Sequence, residues 1–196
     1  MRFLIALMAA ALSLVPAAAF ASEHRMTGDE IRDVARQELL WCEEYEAATD
    51  DCDVVSLIRL MPDGRLAETS TLLLQSSPRL QVFIADVDQI DGDRICSKVE
   101  AQRTRFSFTL DGTPLAADAS MGLRLLFLSQ LADFEGKTMC QAFFRGDDPN
   151  VIREEITVDG ERQTELESTY HLRAGSSDLK LRPQLPADLD SDRTPL

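Results

Sequence analysis

Apolar and polar residues alternate along most of the chain, as they do in β-strands that bury one face. The alternating or β-branched segments are 54–61, 65–75, 80–90, 94–101, 105–110, 137–145, 151–158 and 162–172. Asp-Gly pairs separate several of these segments, at 63–64, 91–92, 111–112 and 159–160. Because Asp-Gly favours the tight turns of hairpins, the pattern predicts an antiparallel meander of about seven or eight strands.

An N-terminal helix is predicted just before this meander. Thr27 and Glu30 have the spacing of a capping box, in which the two side chains bond backbone N–H groups that are free in the first turn. Apolar residues such as Ile31 and Val34 then recur at helical spacing. The helix is therefore predicted to continue to about Ala47.

A second helix is predicted over 120–134, with Asp118 as its cap and Gly136 as its stop. Its apolar residues surround the whole helical wheel, which indicates a helix buried on more than one side. A strand over 123–128 is the alternative. The predicted fold class is α+β: the N-terminal helix packs on a curved antiparallel β-meander, a second short helix is inserted, and disulfides staple the fold.

The first 21 residues have the pattern of a secretory signal peptide. Arg2 supplies a positive charge, residues 3–15 form an apolar run, and small residues precede a cleavage site near Ala21. The run is too short for a membrane span, and the cleavage site has no cysteine for a lipid anchor. Because the segment is rich in alanine and arginine outnumbers lysine, we expect a bacterial protein in the periplasm, with the extracellular space as the alternative.

The chain divides into four predicted segments. Residues 1–21 are the signal peptide, and 22–26 are a flexible start of the mature chain. Residues 27–173 form a single α+β domain, since nothing within them resembles a linker. Residues 174–196 are polar and contain several prolines, and they are predicted to be a disordered tail.

The four cysteines are Cys42, Cys52, Cys96 and Cys140. Of the three pairings that four cysteines allow, we favour Cys42–Cys52 and Cys96–Cys140. In the chain-entropy model the first disulfide contributes about 3 kcal/mol and the second about 4 kcal/mol. No Cys-x-x-Cys pair occurs and neither histidine is near a cysteine in sequence, so no metal site and no cofactor is predicted.

Acidic residues outnumber basic residues, 34 to 20, and the formal net charge is −14. Removal of residues 1–21 takes away one basic residue, Arg2, and no acid, which brings the charge to about −15. Such a charge keeps a protein soluble and disfavours binding to nucleic acid or to anionic lipid. We therefore expect a monomer whose partner is an unknown protein or a small ligand, and neither nucleic acid nor a membrane.

Glu38 and Asp86 are the candidate catalytic residues. Glu38 falls at the centre of the apolar face of the predicted N-terminal helix. Burial there would raise the pKa of its carboxyl group and suit it to general acid or base catalysis. The alternative is a rotated helix that leaves Glu38 at a solvated edge. Asp86 is the second carboxylate that such a site would use.

Asp86 also belongs to an aspartate cluster with Asp88, Asp91 and Asp93. Carboxylates are good calcium ligands, but the spacing differs from that of an EF-hand loop and no glutamate closes the loop. Solvated residues at a strand edge and a turn are the preferred explanation, so the sequence predicts no calcium site.

The sequence contains no Gly-x-Ser-x-Gly, P-loop or His-Glu-x-x-His motif. It favours an exported, soluble, non-enzymatic module that binds a protein or a small ligand through the concave face or the rim of the sheet. The alternative is a small carboxylate-dependent hydrolase or isomerase with a sheet-lined pocket, in which Glu38 and Asp86 act as acid and base.

Overall fold

The computed structural model describes residues 23–100, 102–175 and 179–184. Within them, the α-helices are α1 (Gly28–Arg36) and α2 (Ala117–Leu131), and short 3-10 turns occupy Ala132–Phe134 and Thr164–Leu166. The strands are β1 (His24–Arg25), β2 (Leu40–Glu43), β3 (Asp51–Cys52), β4 (Val54–Leu60), β5 (Leu66–Ser76), β6 (Arg79–Asp91), β7 (Arg94–Lys98), β8 (Arg105–Leu110), β9 (Thr113–Pro114), β10 (Thr138–Arg145), β11 (Val151–Val158), β12 (Glu161–Arg162), β13 (Thr169–Arg173) and β14 (Lys180–Leu181).

The predicted α+β class is wrong, because the structure is mostly antiparallel β-sheet. The described helices have only 9 and 15 residues, whereas β6 alone has 13. The strands themselves follow the alternation in the sequence, and the predicted segments 105–110 and 151–158 coincide with β8 and β11. The N-terminal helix is shorter than predicted, and the strands form a closed sheet instead of a curved meander.

The start of the N-terminal helix is as predicted. Thr27 is the N-cap residue of α1, and its hydroxyl accepts a hydrogen bond from the backbone N–H of Glu30 at 3.3 Å. The Glu30 carboxylate accepts one in return from the backbone N–H of Thr27 at 2.8 Å. Ile31 and Val34 are buried on the inner side of the helix, as their spacing indicates.

The end of this helix is not as predicted, because α1 stops at Arg36 instead of near Ala47. Glu38 has a φ of 49°, in the left-handed region, which interrupts the right-handed helical backbone. The chain then enters β2, which pairs with β4 on one side and with β13 on the other. Hydrogen bonds to two strands and the burial of Trp41 outweigh the local helical pattern.

The second predicted helix is confirmed as α2, and the strand alternative for 123–128 is wrong. Ala116 is its N-cap, and Asp118 lies in the first turn instead of capping the helix. Gly136, with a φ of 80°, follows the 3-10 turn that continues α2. None of the residues of α2 is fully buried, so the expectation of a helix buried on several sides is wrong.

The main sheet closes on itself. Its strands are hydrogen-bonded in the order β10-β11-β13-β2-β4-β5-β6-β7, and β7 then pairs with β10. β6 is long enough to have two partners, since residues 80–85 pair with β8 and residues 89–91 pair with β7. The first half of β6 therefore leaves the closed sheet and forms an outer extension with the end of β5 and with β8 and β9.

One end of the enclosed interior is filled by an apolar core on which α1 packs. Its buried residues come from α1, from Met26 just before it and from seven of the eight strands of the closed sheet: Met26, Ile31, Val34, Ala35, Trp41, Ile58, Leu66, Ile95, Phe143, Ile152 and Leu172. The Trp41 ring contacts Phe143 and Tyr170 edge-on, with centroids 5.4 and 5.6 Å apart. A Cβ on Gly28 would collide with the carbonyl oxygen of Gly92, so α1 approaches the β6–β7 turn closely.

Both predicted disulfides are present. Cys42–Cys52 links β2 to β3, with Cα atoms 5.4 Å apart. Cys96–Cys140 links β7 to β10, and its two residues lie directly opposite each other in that strand pair. The second disulfide therefore crosses the strand pair that closes the sheet, and it joins segments 44 residues apart in sequence.

The described parts of the segments 22–26 and 174–196 contain more structure than predicted. Within the predicted flexible segment 22–26, β1 pairs with β10. Within the predicted disordered tail, β14 pairs with β3, and Arg182 forms ion pairs of 2.8 Å with Asp51 and 2.7 Å with Asp53.

The predicted signal peptide and cleavage site lie outside the described residues. In the part of the chain that is described, no helix is long and apolar enough to cross a membrane.

Candidate ligand-binding cavity

A cavity of about 270 Å³ lies beyond the apolar core, where the closed sheet meets the outer extension and α2. β5, β6, β7, β8 and β10 supply residues to its walls, and Phe127, Gln130 and Leu131 of α2 border it. Its volume is close to the lower end of the range for small-molecule sites, roughly 300–1,000 Å³. The cavity is therefore suited to a small ligand.

The strand pattern explains why the cavity is polar where the neighbouring core is apolar. Successive side chains of a strand point to opposite faces, so residues two positions apart share the inner face. On β5, Leu66 belongs to the core, and Glu68 and Ser70 line the cavity. On β10, Phe143 belongs to the core and Gln141 lines the cavity. Apolar core and polar cavity are thus successive layers of one interior.

Three carboxylates line this cavity. Glu68 and Asp86 lie directly opposite each other in the β5–β6 pair, and Asp88 lies opposite Leu66. Side chains at directly opposite positions have Cβ atoms only about 5 Å apart, and like charges there destabilise the sheet. The structure therefore holds two carboxylates in an arrangement that is unfavourable unless a proton or a cation compensates for it.

Hydroxyl groups donate hydrogen bonds to two of the three cavity carboxylates. The Glu68 carboxylate accepts a hydrogen bond of 2.8 Å from Ser70, and the Asp86 carboxylate accepts one of 3.1 Å from Thr104. Burial raises the pKa of Glu68. Burial, and then the charges of Glu68 and Asp86, raise the pKa of Asp88 to about 6, against a smaller opposing effect of a hydrogen bond from Ser97.

Basic side chains do not neutralise the three cavity carboxylates. Among the described residues, none of the three forms an ion pair with Lys, Arg or His within 4.0 Å. Of the described residues that line the cavity, Lys98 is the one with a basic side chain, and it is exposed. The charge of Arg103 acts to lower the pKa of Asp88, against the larger effect of burial, but the ion pair of Arg103, of 3.6 Å, is with Glu100. The cavity therefore keeps an excess of negative charge.

A further carboxylate, that of Glu154, is buried deeper in the interior. Glu154 is 1% exposed and lies on the inner face of β11, opposite Phe143. Its Oε2 accepts a 3.1 Å hydrogen bond from the Tyr170 hydroxyl, whereas its Oε1 is buried and has no hydrogen-bond partner within the described part of the chain. Burial raises the pKa of Glu154 to about 8, and the charges of Glu68 and Glu43 act in the same direction.

Glu43 extends this acidic layer on β2. Its carboxylate accepts a 2.7 Å hydrogen bond from Ser168, and burial raises its pKa. The phenol of Tyr170, which lies opposite Glu43 in the β13–β2 pair, has a pKa well above its usual value because of burial and the nearby carboxylates. A layer of acids thus crosses the interior between the apolar core and the cavity.

Aromatic and aliphatic side chains form the rest of the cavity lining. Phe106, Phe127, Leu131, Ile84 and Met139 border it. The Phe127 ring of α2 lies 5.5 Å from that of Phe106 and 6.0 Å from that of Phe108, so α2 is attached to the outer extension through aromatic contacts. The cavity therefore combines a carboxylate wall with an apolar border.

The two candidate catalytic residues, Glu38 and Asp86, do not belong to the same site. Glu38 is an exposed residue after α1, and its carboxylate forms an ion pair of 3.3 Å with Arg59 on the outer surface. Asp86 lines the cavity. The structure does not bring Glu38 and Asp86 together, and the apolar helix face on which the Glu38 hypothesis rested does not extend to residue 38.

The aspartate cluster is also divided by the fold. Asp86 and Asp88 point into the closed sheet, and Asp91 and Asp93 lie at the exposed β6–β7 turn. The expectation that all four are solvated is therefore wrong for Asp88, which is 9% exposed. Among the described residues, no group of three or more His, Cys, Asp or Glu side chains is placed to hold a metal ion.

Glu68, Asp88 and Glu154 are cavity or interior residues that the sequence analysis did not select as a site. A signal for Glu154 exists: it occupies the same alternating row as Ile152 and Ile156 in a segment recognised as a strand. Glu68 and Asp88 likewise lie on strand faces that contain buried apolar residues, Leu66 on β5 and Val82 on β6. An acid in such a row indicates a charged group facing the interior.

Comparison of the chain with models of protein families, with curated proteins and with solved structures finds no match. A functional conclusion therefore rests on the cavity and its chemistry.

Proposed function

We propose that the protein is an exported, non-enzymatic binding module that holds a small ligand in the cavity between the closed sheet and α2. The single observation that carries the proposal is the cavity itself, which is formed by residues of five strands and bordered by a helix. A closed sheet of eight strands has room for side chains or for one small ligand, and here the core fills only one end.

The helix that borders the cavity is suited to admit a ligand. Leu123 and Phe127 pack on the outer extension, while Met121, Leu125 and Leu126 on other sides of α2 are 59%, 60% and 55% exposed. A helix with no fully buried residue is held by few contacts, and such elements open at low free-energy cost. Movement of α2 would widen access to the cavity.

Export is part of the proposal. The N-terminal pattern predicts a signal peptide, and the structure contains two disulfides, which persist in oxidising compartments. We place the mature protein in the periplasm and expect it to be a monomer because of its negative charge. The separation of Glu38 from the cavity favours binding over the alternative of a hydrolase or isomerase that uses Glu38 and Asp86 together.

The test is a fluorescence titration with N-phenyl-1-naphthylamine, a neutral apolar dye that brightens when it leaves water. The matched variants are Met139→Trp, which fills the cavity, and Met121→Trp, which adds the same ring on the exposed side of α2. We expect the wild type and Met121→Trp to bind the dye with similar affinity and Met139→Trp to lose binding while its circular dichroism spectrum is unchanged.

Two results would contradict the proposal. In the first, Met139→Trp binds the dye as tightly as the wild type, which would mean that the dye does not enter the cavity. In the second, Leu125→Glu abolishes dye binding as completely as Met139→Trp does, which would locate the dye on the exposed apolar side of α2.

A further inference from the structure

We propose that the ligand is a small organic cation: an ammonium group on an apolar body, with the ammonium against Glu68, Asp86 and Asp88 and the apolar body under α2. This inference rests on the proposed function and adds the chemical class of the ligand. It follows from the charge of the cavity, the geometry of the acidic pair and the apolar border.

The cavity carries negative charge that no basic side chain among the described residues neutralises. Three carboxylates line the cavity, and the only basic residue in its lining, Lys98, is exposed and forms no ion pair with them among the described residues. A buried carboxylate is unfavourable unless it is paired or protonated. A ligand with an ammonium group would supply the missing positive charge, and charge-assisted hydrogen bonds are the strong ones.

The second step is the cross-strand pair of Glu68 and Asp86. Directly opposite carboxylates on one face repel each other, and a sheet with no use for them would be more stable with a neutral residue at either position. A cation between the two carboxylates converts this repulsion into two attractions. The arrangement therefore favours a cationic ligand over a neutral or an anionic one.

The third step is a buried polar atom near these acids. The Oε1 atom of Glu154 lies on the inner face of the sheet and has no hydrogen-bond partner among the described residues, and the charge of Glu68 acts on the Glu154 carboxyl. Buried polar atoms without a partner are rare in folded proteins. Because Glu154 holds a proton at neutral pH, it adds an unsatisfied polar atom to the interior and no further negative charge.

The fourth step is the apolar border, which excludes an inorganic cation as the preferred ligand. Phe106, Phe127, Leu131 and Met139 would contact a hydrocarbon body, and an aromatic ring also attracts a cation at its face. The described carboxylates are not arranged as a metal site. A metal ion would leave the apolar part of the cavity unused, whereas an alkylammonium ion matches both parts.

The experiment is isothermal titration calorimetry at pH 7 with hexylammonium, 1-hexanol and hexanoate, which have the same carbon chain and different charge. The main variant is the double substitution Asp86→Asn with Asp88→Asn. The control is Glu161→Gln, which removes an acid at the exposed turn of β11 and β12. Circular dichroism and binding of N-phenyl-1-naphthylamine verify that each variant is folded and has an open cavity.

We expect the wild type and Glu161→Gln to bind hexylammonium at least about tenfold more tightly than 1-hexanol, the magnitude expected of a hydrogen bond to a charged group. The double variant should lose this preference and still bind 1-hexanol. Equal or tighter binding of 1-hexanol or hexanoate by the wild type would overturn the inference, as would a preference that the double variant retains or that Glu161→Gln also loses.

The dye separates the two proposals. If none of the three hexyl compounds binds and the dye still binds in the cavity, the cation inference is wrong and the proposed function stands. If the dye does not bind either, both are wrong.

Discussion

The substitution Glu154→Gln tests whether the interior holds an acid that is protonated at neutral pH. Glutamine keeps the size of the side chain and can still accept the hydrogen bond from Tyr170, but it cannot ionise. Burial raises the pKa of Glu154 from 4.5 to about 8. The variant therefore removes one proton-binding group from the folded protein and leaves its packing nearly unchanged.

The expected magnitude follows from linkage. Between pH 4.5 and about 8, folded Glu154 holds a proton that the unfolded chain releases. The folded state binds more protons there, so the free energy of unfolding falls as the pH rises. At about 1.4 kcal/mol for each pH unit, this one group accounts for a loss of about 5 kcal/mol across the window. Glu154→Gln removes that loss, so the variant should gain stability relative to the wild type as the pH rises.

The assay is urea unfolding at a series of pH values, followed by fluorescence of Trp41, the only tryptophan, which is 1% exposed. Glu155→Gln is the matched control, because Glu155 faces outward on the same strand and pairs with Arg153. The difference in unfolding free energy between Glu154→Gln and the wild type should rise with pH, and that of Glu155→Gln should not. Parallel curves for Glu154→Gln and the wild type would refute the reasoning.

Three further predictions concern the closure and the cavity. Replacing Cys96 and Cys140 by alanine should lower the free energy of urea unfolding by about 4 kcal/mol, and an unchanged value would contradict the role of this disulfide in closing the sheet. Carbon-13 NMR should show Asp88 titrating near pH 6, with hexylammonium lowering that midpoint; a midpoint near 3.8 would contradict its burial. Phe127→Ala should weaken dye binding and lower the melting temperature, since it removes the aromatic contact with Phe106.

The strands were predictable because their signals are local. Alternation over 105–110 and 151–158 and the Asp-Gly pairs each depend on a few neighbouring residues. At Asp111-Gly112 both residues have positive φ, 50° and 78°, as such a turn requires. The capping box of α1 was predictable for the same reason.

The closure of the sheet was not predictable, because it depends on partners distant in sequence. β7 and β10 are joined through Cys96 and Cys140, and no local pattern indicates that these strands are neighbours. The disulfide pairing was a correct prediction, but taken alone it was compatible with many sheet arrangements. The helical periodicity beyond Arg36 was misleading, since pairing of β2 with two strands decided the structure there.

The candidate site also depends on contacts between residues distant in sequence. A long N-terminal helix would bury Glu38, and the shorter helix of the structure leaves it exposed. Asp86 lies opposite Glu68 only because of the register between β5 and β6, which no local pattern indicates. The alternation along β11 places Glu154 on the same face as Ile152 and Ile156, and the sequence alone shows this. That this face lines a closed interior follows only from the three-dimensional structure.

The most direct test of the central claim, that the interior of the sheet binds a small cation, is NMR mapping with hexylammonium on the nitrogen-15-labelled mature protein. We predict saturable shifts of backbone amides at Ser97, Gln141 and Phe127, which border the cavity, with little change at exposed acids such as Glu161 and Asp63. Shifts that spread over the exposed acidic residues and leave the cavity residues unchanged would contradict the claim.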